Sequence, residues 1–245
     1  MDFKFDRYTL NARLAPMLIT LMPIGLAVVS LFPTKSTHLG LVIGVVTYCG
    51  MLVLLSNMGR DLGRNMEAKL FKKWKGSPTT RMLDPSTSDM PKMQLNKIHA
   101  GLEKLTGLSL PEDDNDERKD VFETWTTYLR TNTRGQDNGQ FRLILSENIS
   151  FGFRRNLYGL RWYGLVLTLL ALGVVIGDHT IITWGGAKPW HIDMLDLRPV
   201  AKAAILITCW TLLILIFVVK EKWVKAAGEA YAKQLLEAVF VLKQG

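Results

Sequence analysis

The residues best suited to chemistry in this chain are cations set among aromatic, amide and hydroxyl groups, in two stretches. The first carries Arg60, Arg64, Lys69, Lys72, Lys73 and Lys75 and ends in Gly76-Ser77-Pro78-Thr79-Thr80-Arg81. The second is Glu147-Asn148-Ile149-Ser150-Phe151-Gly152-Phe153-Arg154-Arg155-Asn156-Leu157-Tyr158-Gly159-Leu160-Arg161. Guanidinium and ammonium groups pair with phosphate oxygens, and aromatic rings beside them stack on bases at roughly 1–3 kcal/mol each. Trp74, Phe151 and Phe153 are the rings in position for that. The Ser/Thr pair and free backbone donors after Gly76 also suit a phosphate, although the Gly-Lys-Ser/Thr ending of a P-loop is absent. Both stretches adjoin apolar blocks, so they serve equally as positive anchors on the inner face of a membrane. Binding of anionic lipid or nucleic acid is the functional alternative.

The elements that position these cations are set by hydropathy. In 245 residues with a formal net charge of +8, four apolar blocks approach the roughly 17 to 25 residues a bilayer span requires. They are Leu14 to Phe32, Leu39 to Ser56, Leu157 to Ile176 and Ala203 to Val219. In the third, Arg161 is expected at the interface with its side chain snorkelling outward; Lys202 and Lys220 flank the fourth. The first block is too long for a signal-peptide core and contains Pro23, which argues against cleavable export. Cys49 and Cys209 lie inside spans and define no disulfide framework.

Lysine and arginine counts set the orientation. They concentrate in the N-terminal tail, the segment after the second block and the tail after the fourth, and are sparse in the two hairpin loops. Both termini and the middle segment are therefore expected on the cytoplasmic side of the membrane. The expected fold is an all-α membrane protein: a tail (1–13), a transmembrane hairpin (14–57), a helical cytoplasmic domain (58–156), a second hairpin (157–219) and a C-terminal cytoplasmic helix (220–245).

Within the middle segment, Asn57 to Trp74 continues the second span, with Leu62, Met66, Leu70 and Trp74 on one stripe. Gly76 and Pro78 end that helix, and Ser77 or Thr79 caps a following turn. Leu95, Ile98, Leu102 and Leu105 mark an amphipathic helix beside which His99 is a surface or packing residue. Phe122, Trp125 and Leu129 mark another. The acidic run from Glu112 to Glu117 has no EF-hand spacing and reads as a solvated linker or helix start. Trp223, Ala227, Tyr231, Leu235 and Val239 form a last apolar stripe, which needs either the middle region or a second subunit as partner.

No nucleophile–base pair, zinc signature or dinucleotide fingerprint is present, so no enzyme activity and no cofactor are expected. Asp178, His179, His191 and Asp193 in the second outer loop have no diagnostic ligand spacing, and no metal is expected. Thr208 and Thr211 in the fourth span are polar groups that could face a helix partner or a pore.

Three pieces together resemble a family. They are Gly59-Arg60-Asp61-Leu62-Gly63-Arg64, then the run from Lys69 to Leu83, then Glu147-Asn148 with Gly152-Phe153-Arg154-Arg155-Asn156-Leu157. With the span layout they are similar to the membrane effectors of Hailong-type bacterial anti-phage defence systems. The resemblance implies an oligomeric ion channel, a homo-tetramer, held closed by short single-stranded DNA from a companion nucleotidyltransferase. Loss of that oligonucleotide would open the channel. On the matched stretches the implied ligand contacts are Arg60, Arg64, Lys72, Lys73, Lys75, Thr79, Thr80, Arg81, Arg154, Arg155 and Asn156. Two other readings use the same basic residues: a scaffold that recruits a soluble partner without conductance, and a protein that binds or modifies membrane lipids.

Overall fold

The computed structural model describes residues 6–31, 38–111, 116–134, 139–183 and 197–242, with side chains described for all of these except 38–43 and 178–183. Every regular element among the described residues is helical. In chain order they are a π-helical turn, Thr9–Leu14, running into α1 (Ala15–Leu31), then α2 (His38–Trp74), α3 (Pro78–Leu83), α4 (Lys92–Thr106) and α5 (Asp116–Thr133). There follow α6 (Arg142–Thr183), α7 (Pro199–Leu213) with a second π-helical turn at Ile214–Val218, and α8 (Glu221–Glu237) ending in a 3₁₀ turn, Ala238–Phe240.

The chain divides into two compact units. One comprises residues 1–66 and 152–220, the other 67–151 and 221–245. The boundaries fall inside α2 and α6, each of which is one uninterrupted helix.

The first unit contains three helical stretches long and apolar enough to cross a membrane: Thr9–Leu31, Arg142–Gly177 and Pro199–Val218. The second of these begins in the other unit. Only about a third of each apolar window is buried. Leu206, Trp210, Trp162, Val166, Leu169 and Leu170 are all exposed, as a lipid-facing surface requires. Ala27, Ala171, Val175, Ala201 and Ala204 are buried between α1, α6 and α7, where small side chains let backbones approach. Helix α1 runs through Pro23 without a break. The expected N-terminal tail is helical from residue 7. The expected second span begins among side chains outside the described residues, and the two hairpin loops, with His191 and Asp193, lie outside them for the most part.

The second unit has the reverse pattern. Ile98, Leu102, Phe122, Trp125, Leu129, Leu235 and Leu236 form a closed core from α4, α5 and α8, joined by Leu83 of α3. The partner of the last apolar stripe is thus the middle region. That stripe is two residues wide, burying Val224, Gly228 and Leu236 as well as Ala227 and Leu235. Gly107 closes α4 at φ 72° with its N–H on Glu103 O, the left-handed C-cap that glycine favours. His99 is buried, 5.6 Å from the Trp125 ring centre, and its Nε2 lies 2.8 Å from Leu83 O. It is a packing residue. Burial holds its pKa below the ordinary value near 6.5.

Candidate functional site

The candidate residues fall in both units. In the first, the stretch of α6 from Gly152 to Arg161 is the hub. Asn156 is 1 % exposed. Its Nδ2 donates to Ala12 O at 2.6 Å, and its Oδ1 accepts from Arg155 Nε at 3.2 Å. The reason for the first bond lies in the sequence. In an α-helix Ala12 O would accept from the residue four along, which is Pro16, and proline has no N–H. Asn156 supplies the missing donor. It is therefore a packing residue of the bundle, with its amide already engaged on both sides.

Helix α2 meets the same surface through glycines. A Cβ on Gly63 would collide with Asn156 Oδ1. One on Gly159 would sit 2.8 Å from Gly63 N. Gly59 faces Leu160, Gly152 faces Tyr8 and Ala12, and Gly164 faces Leu215. The Gly-Arg-Asp-Leu-Gly-Arg and Gly-Phe-Arg-Arg-Asn-Leu motifs do come together, and the contact is made by Gly59 and Gly63 of the first with Asn156 of the second and with Gly159 and Leu160 just beyond it. Around that contact Arg60 is half-exposed with Nε 3.1 Å from Asp61 Oδ1, Arg64 is exposed, and Arg154 and Arg155 are half-buried.

Arg161 departs from expectation. Its side chain does not snorkel outward: Nε donates to Leu215 O at 2.9 Å, and Nη2 lies 3.5 Å from Ile216 O. Both carbonyls belong to the second π turn, in which the Val219 N–H goes to Ile214 O instead of Leu215 O. The guanidinium carbon also lies 5.5 Å from the Trp162 ring centre. Neither π turn was legible as such in the sequence. Pro16, four residues after Ala12, is the one local sign of the first.

In the second unit, α2 ends in a Schellman arrangement. Lys75 adopts φ 62°, Gly76 φ 138°, the Gly76 N–H donates to Phe71 O and the Lys75 N–H to Lys72 O. Lysine in the left-handed region is uncommon, and it sets Lys75 out in solvent beside exposed Lys72. Ser77 then caps α3, its Oγ accepting from Thr80 N–H at 3.2 Å. Thr80 Oγ1 in turn donates to Ser77 O. Thr79 is 2 % exposed, so its side chain packs inward, and Arg81 is half-buried.

Lys73 Nζ lies 2.5 Å from Glu221 Oε2, and Trp74 Nε1 donates to Glu221 Oε1 at 2.9 Å. These two bonds, the Lys73 one first, hold the Glu221 carboxyl below its ordinary pKa. Of the rings expected to stack bases, Trp74 is buried against Glu221. Phe151 is buried in a parallel stack on Tyr231, with ring centres 6.4 Å apart. Phe153 is half-buried. The outward-facing candidates are thus Arg60, Arg64, Lys72, Lys73 and Lys75, with Arg81, Arg154 and Arg155 partly covered.

Thr208 and Thr211 are 1 % and 2 % exposed, and Thr211 donates back to Ile207 O. An aqueous path past them requires the helices around them to part. No cluster of three or more metal-ligating side chains occurs among the described residues. Comparison with protein-family models, with curated proteins and with solved structures finds no match for this chain.

Proposed function

We propose that the chain is a four-span subunit of a homo-oligomeric ion channel, a tetramer, in a bacterial inner membrane, gated by an anionic cytoplasmic ligand of the short single-stranded DNA class. The fourth span in this reading is the first half of α2, where Val45, Val46 and Leu54 are exposed apolar residues. Both termini and the unit built from residues 67–151 and 221–245 lie in the cytoplasm. A companion nucleotidyltransferase supplies the ligand, whose binding keeps the channel closed as part of anti-phage defence.

One observation carries the reading. Arg60, Arg64, Lys69, Lys72 and Lys73 lie on α2 and Arg154, Arg155 and Arg161 on α6, and each of these helices runs unbroken from an apolar segment into the second, water-compatible unit. A polyanion that neutralises Lys72 and Lys75 at the end of α2, or Arg154 and Arg155 on α6, therefore acts on helices that also belong to the apolar bundle. Binding gates only through a difference in affinity between closed and open states. A ligand held about 100-fold more tightly by the closed state shifts the equilibrium by roughly 2.7 kcal/mol.

Purified protein in liposomes loaded with an ion-sensitive dye tests this. Ion flux is expected without oligonucleotide and its suppression with oligonucleotide present on the side of the termini. Flux indifferent to every oligonucleotide tried rejects the gating, and no flux under any condition rejects the channel and favours a non-conducting scaffold.

A further inference from the structure

The bond between Arg161 and the second π turn sets up a choice between two helical registers. In that turn the Val219 N–H donates to Ile214 O, five residues back, at 3.0 Å. An α-helix would send the same N–H to Leu215 O, four residues back. That oxygen is the one Arg161 Nε occupies at 2.9 Å. Val219 N–H and Arg161 Nε are therefore rivals for one carbonyl. With Arg161 in place the π register satisfies Leu215 O from the side. Without it, Leu215 O loses that donor, and the return of Val219 N–H would satisfy it again. The first π turn is different: the Ala15 N–H reaches back to Leu10 O, but its α-helical acceptor would be Asn11 O, and Ala12 O, held by Asn156 of the same α6, has no α donor in either register because Pro16 lacks an N–H.

We infer that α6 latches the end of the last apolar helix in the π register, and that Arg161 is the positioning residue that selects this register at Ile214–Val218. A π turn holds one residue more than the α path, so its collapse rotates the downstream residues by about 100° and shifts them by about 1.5 Å. Val219, now 0 % exposed, would turn away from its buried position just before the chain enters α8. A charged side chain bonded to backbone within an apolar helix marks a functional element by its cost alone, and a register switch is a use that fits this geometry. The inference concerns helix register and holds whether or not the bundle conducts ions.

The test uses the full chain in lipid nanodiscs with Cys49 and Cys209 replaced by serine. Val219→Cys is labelled with a water-soluble maleimide, with Arg161 intact and with Arg161→Met. Ala171→Cys, at another buried site of the same unit, reports loosening of the whole bundle. The expected result is at least a tenfold faster labelling of Val219→Cys in the Arg161→Met background, with Ala171→Cys equally protected in both. A smaller rise at Val219→Cys overturns the register switch. So does a parallel rise at Ala171→Cys, because Arg161 would then hold the bundle as a whole.

Discussion

The two units are both helical, yet they sort their residues in opposite directions. The unit of residues 67–151 and 221–245 hides Trp125, Ile98, Leu102 and Leu235 and shows water its charges. The unit of residues 1–66 and 152–220 exposes Leu54, Trp162, Leu206 and Phe217 and buries Asn156, Thr168, Thr208 and Thr211. Three hydroxyls buried there donate within their own helices: Thr20 to Pro16 O, Thr168 to Gly164 O and Thr211 to Ile207 O. The same helical backbone thus answers two solvents. In water, burial of apolar area holds the helices together. In hydrocarbon there is no such drive, and close glycine contacts and side chain-to-carbonyl bonds take its place.

That contrast can be broken at either unit. The largest effect is expected from Trp125→Ala, which empties a fully buried position of the water-facing core and should cost about 3–5 kcal/mol. It is read as a lowered melting midpoint of the full chain in detergent. Next comes Leu206→Lys, in the exposed face of α7. If lipid covers that face, a charge there costs about 2.5–3.5 kcal/mol in a membrane-insertion assay; if water covers it, insertion is unchanged. Asn156→Ala leaves Ala12 O without its donor and should cost about 1–3 kcal/mol. Gly63→Ala, whose Cβ would collide with Asn156, should separate the same helices. Both are read as reduced thermal stability in detergent.

The smallest effect is electrostatic. Glu221→Gln removes a partly exposed pair with Lys73 and should cost below about 1 kcal/mol. His99 and Glu221 are both held below their ordinary pKa values near 6.5 and 4.5. In each case the unfolded chain takes up the proton first. Their stabilisation is therefore present at neutral pH, and falls as pH drops below about 6.5 for His99 and below about 4.5 for Glu221. The melting midpoint should decline between pH 7 and pH 5, and the decline should shrink in His99→Gln.

Much of the architecture was legible in the sequence because its periodicities are strong. The stripe Leu95, Ile98, Leu102 and the trio Phe122, Trp125, Leu129 fix the inward faces of α4 and α5. Gly76 and Ser77 mark the end of α2 and the cap of α3. What sequence could not give were relations between distant residues. Asn156 reads as a ligand contact until Ala12, 144 positions away, is seen to need its amide. Arg161 reads as an interfacial cation until Leu215 and Ile216 are seen to offer it carbonyls. Trp74 and Phe151 read as base-stacking rings, and Glu221 and Tyr231 already occupy them. A cation-rich run reveals charge, and only the fold shows which members of it remain facing outward.

The most direct test of ligand gating is sided addition in a planar bilayer containing the purified protein. Short single-stranded DNA added to the face bearing the termini should close the conductance reversibly. Arg154→Ala with Arg155→Ala should raise the concentration needed by at least tenfold, while DNA on the opposite face does nothing. Closure that is equal from both faces, or unaltered by the double substitution, would contradict it.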